Sequence, residues 1–253
     1  MTYCLAIKVE SGLVFCSDSR TNAGMDHVST YSKMHSFGIP GERQIVLMSA
    51  GNLATTQSVI AKIRRDLEHG DQANLLNLPT LRDIADYVGK INSHEQDKHE
   101  ADKPQFEATF IMGGQISAEQ THDIFLIYPE GNCISTSADT PFLQIGESKY
   151  GKPILDRILS PSTSLNTSTA AALVSMDSTI RSNLTVGPPI EINIYQANTL
   201  QPCTYLKFNE DSSYLRQLKK EWDARIKEAF NQLPPVEWAQ NWDQSPDQQD
   251  LPS

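Results

Sequence analysis

Four residues of this 253-residue chain have chemical groups and spacings suited to amide-bond chemistry: the side chains of Thr2, Asp18 and Lys33 and the backbone N–H of Gly51. Thr2 directly follows Met1, a methionine that aminopeptidases remove when the next residue is small. A terminal threonine carries a hydroxyl and a free α-amine whose ordinary pKa is roughly 7.7–8.0. That amine can act as the general base for the hydroxyl beside it. The sequence therefore predicts an N-terminal nucleophile at Thr2.

Asp18 and Lys33 are spaced to activate this hydroxyl electrostatically. A hairpin turning at Gly12 would return Asp18 to the sheet end that carries Thr2. A lysine ammonium near the hydroxyl favours the alkoxide, and Asp18 would keep that lysine charged. Taken singly, Asp18 fits a turn and Lys33 fits a solvated surface. Together with Thr2 they form a consistent catalytic set.

Gly51 ends the strand pattern 44–49 and precedes a helix pattern. Its backbone N–H lies where an oxyanion would need a donor. A tight strand-to-helix turn explains the same glycine without catalysis, and the two roles are compatible.

Strand and helix patterns alternate in blocks along the chain. A hairpin over 2–17 and the 44–49 strand precede two helices, the first capped at Thr55 or Thr56 and the second starting near Pro79. Four strands, two helices and two strands follow, over 108–112, 124–128, 133–137 and 142–145, then 153–159 and 168–180, then 190–195 and 203–208. This order differs from regular βαβ alternation. It predicts an α+β fold, a four-layer αββα sandwich of two antiparallel sheets between helix pairs.

The C-terminal region departs from this pattern. A charged segment carries an apolar stripe at helical spacing, formed by Leu215, Leu218, Trp222, Ile226 and Phe230. We therefore divide the chain into an αββα domain over 2–209, an amphipathic C-terminal helix over 210–232 and a tail over 233–253 that is rich in Pro, Gln and Asp. The helix is expected to dock on the domain or on a neighbouring subunit.

Composition excludes several classes of function. The net charge of −10 argues against nucleic acid or an anionic membrane as the main partner. No apolar stretch approaches the roughly 18 residues of a membrane span, and Lys8 and Glu10 interrupt the N-terminal run, unlike a signal peptide. The four cysteines lack metal-type spacing, which predicts reduced thiols in a cytoplasmic protein without a metal.

Other motifs carry no competing chemistry. The histidines of the stretch 94–99 are five apart, so they cannot share a helix face as a zinc pair does, and we interpret the stretch as a polar loop. His27 and His35 lack a serine elbow and are expected at the surface or in a subunit contact. Gly113-Gly114 is too short to cradle phosphate, so no cofactor is predicted and any ATP-dependent partner would be a separate protein.

The chain resembles proteasome-type β subunits of the N-terminal-nucleophile hydrolases, and also bacterial HslV. The motifs are Thr2, the stretch SDSRTNAG, Lys33 and the Ser-Ala-Gly-Asn of 49–52. The chain is most similar to the Anbu family, which are ancestral bacterial homologues of the proteasome. This similarity is carried by the sequence of residues 2–30, by SNLTVGPPIEINIY at 182–195 and by the basic-aromatic C-terminal helix. The resemblance covers roughly residues 2–232. It implies the αββα fold, a homo-oligomer and amide-bond hydrolysis by the terminal threonine.

Matched position by position, the resemblance implies that Thr2 is the nucleophile and that Asp18 and Lys33 are the charged pair behind it. It also implies that the Gly51 amide forms the oxyanion hole. Thr21 and Asn22, together with Gly51, fall where the family pairs its main chain with an extended peptide or protein substrate.

Three positions depart from the family's pattern. The family's Gly-Ser-Gly segment, whose serine bonds the terminal amine, matches 146–149, where Glu147 stands and Ser148 serves only after a one-residue slip. The family's later Asp and Ser fall on or near Asn183 and Val186. Ser148 and Asn183 are thus the candidates for supporting the amine.

A threonine peptidase acting within a homo-oligomer is the favoured function. Because the amine-supporting positions are altered, two alternatives stay open. One is an N-terminal-nucleophile amidase acting on small or capped amides. The other is an assembly or scaffold protein with a vestigial site.

Overall fold

The computed structural model of the chain describes residues 1–22, 28–70, 73–98 and 104–234. The chain divides into two compact units, Met1–Ser213 and a second that starts at Tyr214. Within the described residues the first unit contains two five-stranded sheets, a two-stranded ribbon and four helices.

The first sheet holds the N-terminal strand at its second position. In spatial order its strands are β10 (Phe142–Gly146), β1 (Tyr3–Val9), β2 (Gly12–Asp18), β11 (Ile190–Gln196) and β12 (Thr204–Phe208), all antiparallel. The predicted hairpin is β1–β2, and its register pairs Cys4 with Ser17. Asp18 therefore ends β2 at the same end of the sheet as Thr2, which directly precedes β1.

The second sheet packs face to face on the first. Its strands, in spatial order, are β5 (Met34–Ile39), β6 (Arg43–Gly51), β7 (Ala108–Ile116), β8 (Asp123–Ile127) and β9 (Cys133–Ser135). Between the sheets lies a buried apolar cluster that includes Phe15 and Tyr195 from the first sheet and Met48 and Ile111 from the second. A short ribbon, β3 (Arg20–Asn22) with β4 (Val28–Thr30), follows β2.

Helix pairs cover the outer faces. Helices α1 (Leu53–His69) and α2 (Leu81–Asp97) bury Ile63 and Val88 against the second sheet. Helices α3 (Lys152–Ile158) and α4 (Leu165–Ser182) cover the first sheet, where the Tyr3 hydroxyl lies 2.7 Å from the Ser175 hydroxyl of α4. The layers are α, β, β and α, so the predicted sandwich is confirmed.

Helix α1 begins earlier than the sequence pattern predicts. Asn52 is its N-cap, because its side chain accepts a hydrogen bond from the Thr55 N–H at 3.1 Å. The predicted caps, Thr55 and Thr56, lie inside the helix, where their hydroxyls donate to the carbonyls of Phe106 and Leu53. Placing the cap at Thr55 or Thr56 was therefore wrong.

Helix α2 extends through most of the stretch interpreted as a polar loop. Asn92 and Gln96 are buried, and their amides donate to the backbone carbonyls of Ala108 (2.8 Å) and Pro129 (3.0 Å). These bonds tie the last turns of α2 to the second sheet, so the loop interpretation was wrong for residues up to Asp97. His99 lies outside the described residues.

The second unit contributes helix α5 (Ser213–Asn231). None of its residues is buried, and Ile226 and Phe230 of the apolar stripe are 50% and 73% exposed. Docking of this helix on the domain or on a neighbouring subunit stays a prediction. Within the described residues, no helix combines the length and apolar character required to cross a membrane.

Candidate active site

Thr2 lines a cleft of about 990 Å³ at one end of the sandwich. Thr21, Lys33 and Gly51 line the same cleft. The topology explains this convergence, since the start of β1, the end of β2 and the end of β6 meet at this edge of the two sheets. Tertiary structure thus brings together residues spread over the first 51 positions.

Lys33 and Asp18 form a buried ion pair at this edge. The Lys33 Nζ lies 2.6 Å from Asp18 Oδ1 and donates a second bond to the Arg20 carbonyl at 2.7 Å. The Lys33 side chain is 8% exposed and the Asp18 side chain is inaccessible. Lys33 is therefore buried and paired, unlike the solvated surface lysine that it suggests when it is considered alone.

Backbone donors complete the surroundings of Asp18. Its carboxylate accepts the Tyr3 N–H at 3.0 Å and the Gly187 N–H at 3.3 Å. Burial is the largest influence on this carboxyl and raises its pKa, while Lys33 and the two amide donors act in the opposite direction. Because Tyr3 follows Thr2 in the chain, Asp18 anchors both the lysine and the start of the strand that carries the candidate nucleophile.

The backbone at position 51 strongly favours glycine. Its φ of +114° is strained for other residues, and a Cβ would lie 2.3 Å from the Glu107 carbonyl oxygen. This backbone need exists whether or not the Gly51 amide binds an oxyanion. Gly51 lines the cleft at the junction of β6 and α1.

The candidate substrate-binding positions lie on strand β3. Thr21 lines the cleft, and its buried hydroxyl has no hydrogen-bond partner in the described part of the chain. Asn22 ends the strand, with its backbone paired to Val28 of β4.

The pairing of β1 with β10 has no one-residue slip. Tyr3 pairs with Gly146, and the Glu147 N–H donates to the Thr2 carbonyl at 2.8 Å. Ser148 does not line the cleft, and its carbonyl accepts a bond from Gln144. The structure therefore places the backbone of Glu147, rather than that of Ser148, opposite Thr2, and neither side chain lines the cleft.

Asn183 is connected to this region by a hydrogen bond to the Glu147 side chain. Its Nδ2 donates to Glu147 Oε2 at 2.8 Å, while the Lys149 Nζ lies 3.4 Å from Glu147 Oε1. Glu147 is only 5% exposed, and Val186 is fully buried. Sequence comparison marked position 147 as a departure, but only the fold joins the Glu147 carboxylate to Asn183.

Two further residues near the cleft have roles that the sequence analysis missed. Glu191 is buried in β11 and accepts hydrogen bonds from the hydroxyls of Ser19 (3.0 Å) and Ser32 (2.7 Å). An acidic residue inside the apolar strand pattern 190–195 was the available signal. His35 lines the cleft half-buried, so the surface or subunit-contact interpretation overlooked its position, whereas His27 lies outside the described residues.

The pKa of His35 is also unusual. Its burial and the positive charge of Arg64 lower the pKa of His35 to about 4. Neutral imidazole is therefore the form present at pH 7. In the described part of the chain, no cluster of three or more His, Cys, Asp and Glu side chains could hold a metal ion.

Comparisons with known proteins identify the family. A family model described as proteasome subunit matches residues 2–194. Anbu from Yersinia bercovieri is 43% identical, with a TM-score of 0.89 over 93% of this chain and 98% of that chain. This chain belongs to the Anbu branch of the proteasome family.

Two other Anbu structures agree with this assignment. The helical assembly of the Anbu complex from Pseudomonas aeruginosa is 42% identical, with a TM-score of 0.89 over 94% of this chain and all of that one. An Anbu (Gly-1) mutant from Hyphomicrobium sp. strain MC1 is 40% identical, with a TM-score of 0.88 and the same coverage. No match was found among curated protein sequences. The family resemblance inferred from the N-terminal motifs is thereby confirmed.

Proposed function

We propose that this Anbu-family chain is a threonine-type N-terminal-nucleophile hydrolase that cleaves peptide bonds after Met1 is removed. The observation that carries the proposal is the buried Lys33–Asp18 pair, whose lysine lines the same cleft as Thr2 and Gly51. A buried ion pair costs desolvation energy, so its position against a cleft argues for a chemical use of its charge.

The first half-reaction forms an acyl-enzyme. The Thr2 α-amine takes the proton of the Thr2 hydroxyl, and the oxygen attacks the carbonyl carbon of the scissile peptide bond. The Gly51 N–H donates to the oxyanion of the tetrahedral intermediate. The C–N bond then breaks, and the Thr2 ammonium gives its proton to the leaving amine.

The second half-reaction restores the free threonine. The Thr2 amine accepts a proton from water, and the resulting hydroxide attacks the ester carbonyl. The ester C–O bond breaks, the peptide acid leaves and the hydroxyl of Thr2 is protonated again. Lys33 acts electrostatically in both halves because its charge favours the alkoxide, while Asp18 holds the lysine in place.

Support of the amine is assigned in this proposal to Glu147 and Asn183. The hydrogen bond from the Glu147 N–H to the Thr2 carbonyl holds the two residues opposite each other, one residue beyond the paired ends of β1 and β10. Asn183 orients the Glu147 carboxylate, which would stabilise the protonated amine. Ser148 would act only through its backbone bonds.

Substrate would add as an extended strand beside β3, with Thr21, Asn22 and Gly51 supplying main-chain partners. We also propose that the chain works as a homo-oligomer, since the Anbu complex of P. aeruginosa forms a helical assembly. A reducing, cytoplasmic setting fits its four free cysteines.

A threonine-directed electrophile tests the chemistry. Assembled protein is incubated with a peptide epoxyketone, and the adduct is measured by intact mass and localised by peptide mapping. We expect loss of Met1 and one adduct on Thr2, and none on the Thr2→Ala variant. Absence of any adduct on trimmed, assembled protein would contradict the peptidase function, and an intact Met1 would favour a scaffold.

A further inference from the structure

The walls of the cleft are positively charged although the chain as a whole is acidic. The sequence has 31 acidic and 21 basic residues. Among the described residues that line the cleft, however, Arg20, Lys33 and Arg64 carry positive charge and none is Asp or Glu. Charges of one sign in a concave, low-dielectric site focus the field there and attract the opposite charge.

Two of these cations already have partners. The Lys33 ammonium is paired with the Asp18 carboxylate, as described above. The Arg20 guanidinium donates to the Leu184 carbonyl at 2.8 Å and packs beside Gly187. These bonds hold both side chains in place, so neither is available to reach towards a substrate.

Arg64 differs from both. It is exposed on α1 and, in the parts of the chain that the structure describes, has no carboxylate within ion-pairing distance. Its positive charge acts on another residue of the cleft wall, His35, and helps to keep that imidazole neutral at pH 7. Arg64 thus lines the cleft with a guanidinium that has no hydrogen-bond partner among the residues that the structure describes.

Helix geometry connects Arg64 to the candidate catalytic end. One face of α1 lines the cleft, through Leu53, Gln57, Ile60, Ala61 and Arg64. Eleven residues separate Leu53 from Arg64, which corresponds to roughly 16 Å along the helix axis. Long side chains on a helix lean towards its N-terminus, which shortens that distance. A few extended residues of a peptide, at about 3.4 Å each, span it.

We infer that the substrate is an acidic peptide whose acyl-side segment carries a glutamate or aspartate that Arg64 binds. This inference rests on the proposed function, because it takes the Thr2 end of the cleft as the place of cleavage. A guanidinium pairs with a carboxylate through two parallel N–H···O bonds, so it distinguishes glutamate from the isosteric glutamine. The other polar side chains of α1 that line the cleft, Thr56 and Gln57, are uncharged.

A glutamate scan tests the inference through hydrolysis. Fluorogenic peptides of alanine carry one glutamate at each of the four positions before the scissile bond, and a matched set carries glutamine. We expect kcat/KM to be about tenfold higher for glutamate at one position. The ratio should fall as salt is raised and approach one in Arg64→Gln.

The matched control is Arg65→Gln. Arg65 is the next residue of α1, is also exposed, and does not line the cleft. This variant has the same change in net charge and should keep the full preference for glutamate. A ratio near one in the unmodified enzyme at every position, or equal losses in both arginine variants, would overturn the inference.

Binding to Thr2→Ala separates this inference from the proposed function. The same peptides, as uncleavable C-terminal amides with a fluorescent label, are titrated into assembled Thr2→Ala and read by anisotropy. We expect glutamate to bind about tenfold tighter than glutamine, and the difference to disappear when Arg64→Gln is added. Equal binding overturns the acidic preference. Hydrolysis that survives Thr2→Ala overturns the proposed function, whatever the binding shows.

Discussion

The Lys33 ammonium lies 2.6 Å from the Asp18 carboxylate, and both side chains are buried at the edge of the sheet where Thr2 precedes β1. Fifteen residues separate the pair in sequence, and the β3–β4 ribbon lies between them. The same carboxylate accepts the Tyr3 N–H. The pair therefore links the stability of this edge to the position of the candidate nucleophile.

Replacing Lys33 by alanine should remove most turnover and also destabilise the fold. The change leaves Asp18 buried without its cation, which costs about 3–5 kcal/mol of unfolding free energy. Chemical denaturation and peptide hydrolysis at neutral pH measure the two effects. Lys8→Ala is the control, because Lys8 pairs with Asp123 at the same kind of distance, 2.8 Å, but both side chains are partly exposed. We expect a loss of only about 0–1 kcal/mol there, and equal losses in the two variants would contradict this account.

Gly51→Ala should impair both folding and activity. A Cβ at this position meets the Glu107 carbonyl oxygen at 2.3 Å, in backbone geometry that side chains rarely adopt. Gly41→Ala is the matched control, since its φ of +80° is also positive but a Cβ there meets nothing within 4 Å. We expect about 1 kcal/mol of destabilisation for Gly41→Ala, from backbone strain alone, and clearly more for Gly51→Ala in thermal and chemical unfolding. Comparable stability of the two variants would show that the contact with Glu107 relaxes easily.

Glu147→Gln should shift the pH dependence of hydrolysis to lower pH. A nearby carboxylate raises the pKa of an ammonium, so its removal lowers the pKa of the Thr2 amine that must act as a base. The acid limb of the kcat/KM profile is expected to move down by roughly one pH unit. Lys149→Gln removes the cation beside Glu147 and should move the limb slightly the other way. A limb that stays in place in Glu147→Gln would assign this residue a structural role only.

Stability should fall as the pH is lowered from about 6.5 towards 4 because of His35. Its pKa is about 4 in the folded chain, against an ordinary value of 6.5, so the unfolded chain binds the extra proton first. The stabilising contribution is complete above pH 6.5 and is lost as the pH falls towards 4. The slope of unfolding free energy against pH should be smaller in His35→Gln. Arg64→Gln, which removes one cause of the low pKa, should reduce the slope in part, and an unchanged slope in both variants would refute this assignment.

Local sequence determined much of this protein. Alternating apolar residues and the turn at Gly12 specify the β1–β2 hairpin, and this hairpin alone brings Asp18 to the sheet edge where Thr2 lies. Helical periodicity likewise located α1, α4 and the C-terminal helix to within a few residues, and the start of α2 but not its end. These features depend on neighbours close in the chain, so a single sequence carries the signal for them.

Tertiary structure decided which residues surround the terminal threonine. Glu147 lies opposite Thr2 only because β10 pairs with β1 across more than 140 residues, and a slip of one residue would have presented Ser148 instead. Asn183 joins Glu147 from the end of α4, and Arg64 and His35 meet in the cleft because α1 packs beside β5 and β6. Such contacts depend on strand register and helix packing between distant segments, and no local pattern in the sequence specifies them.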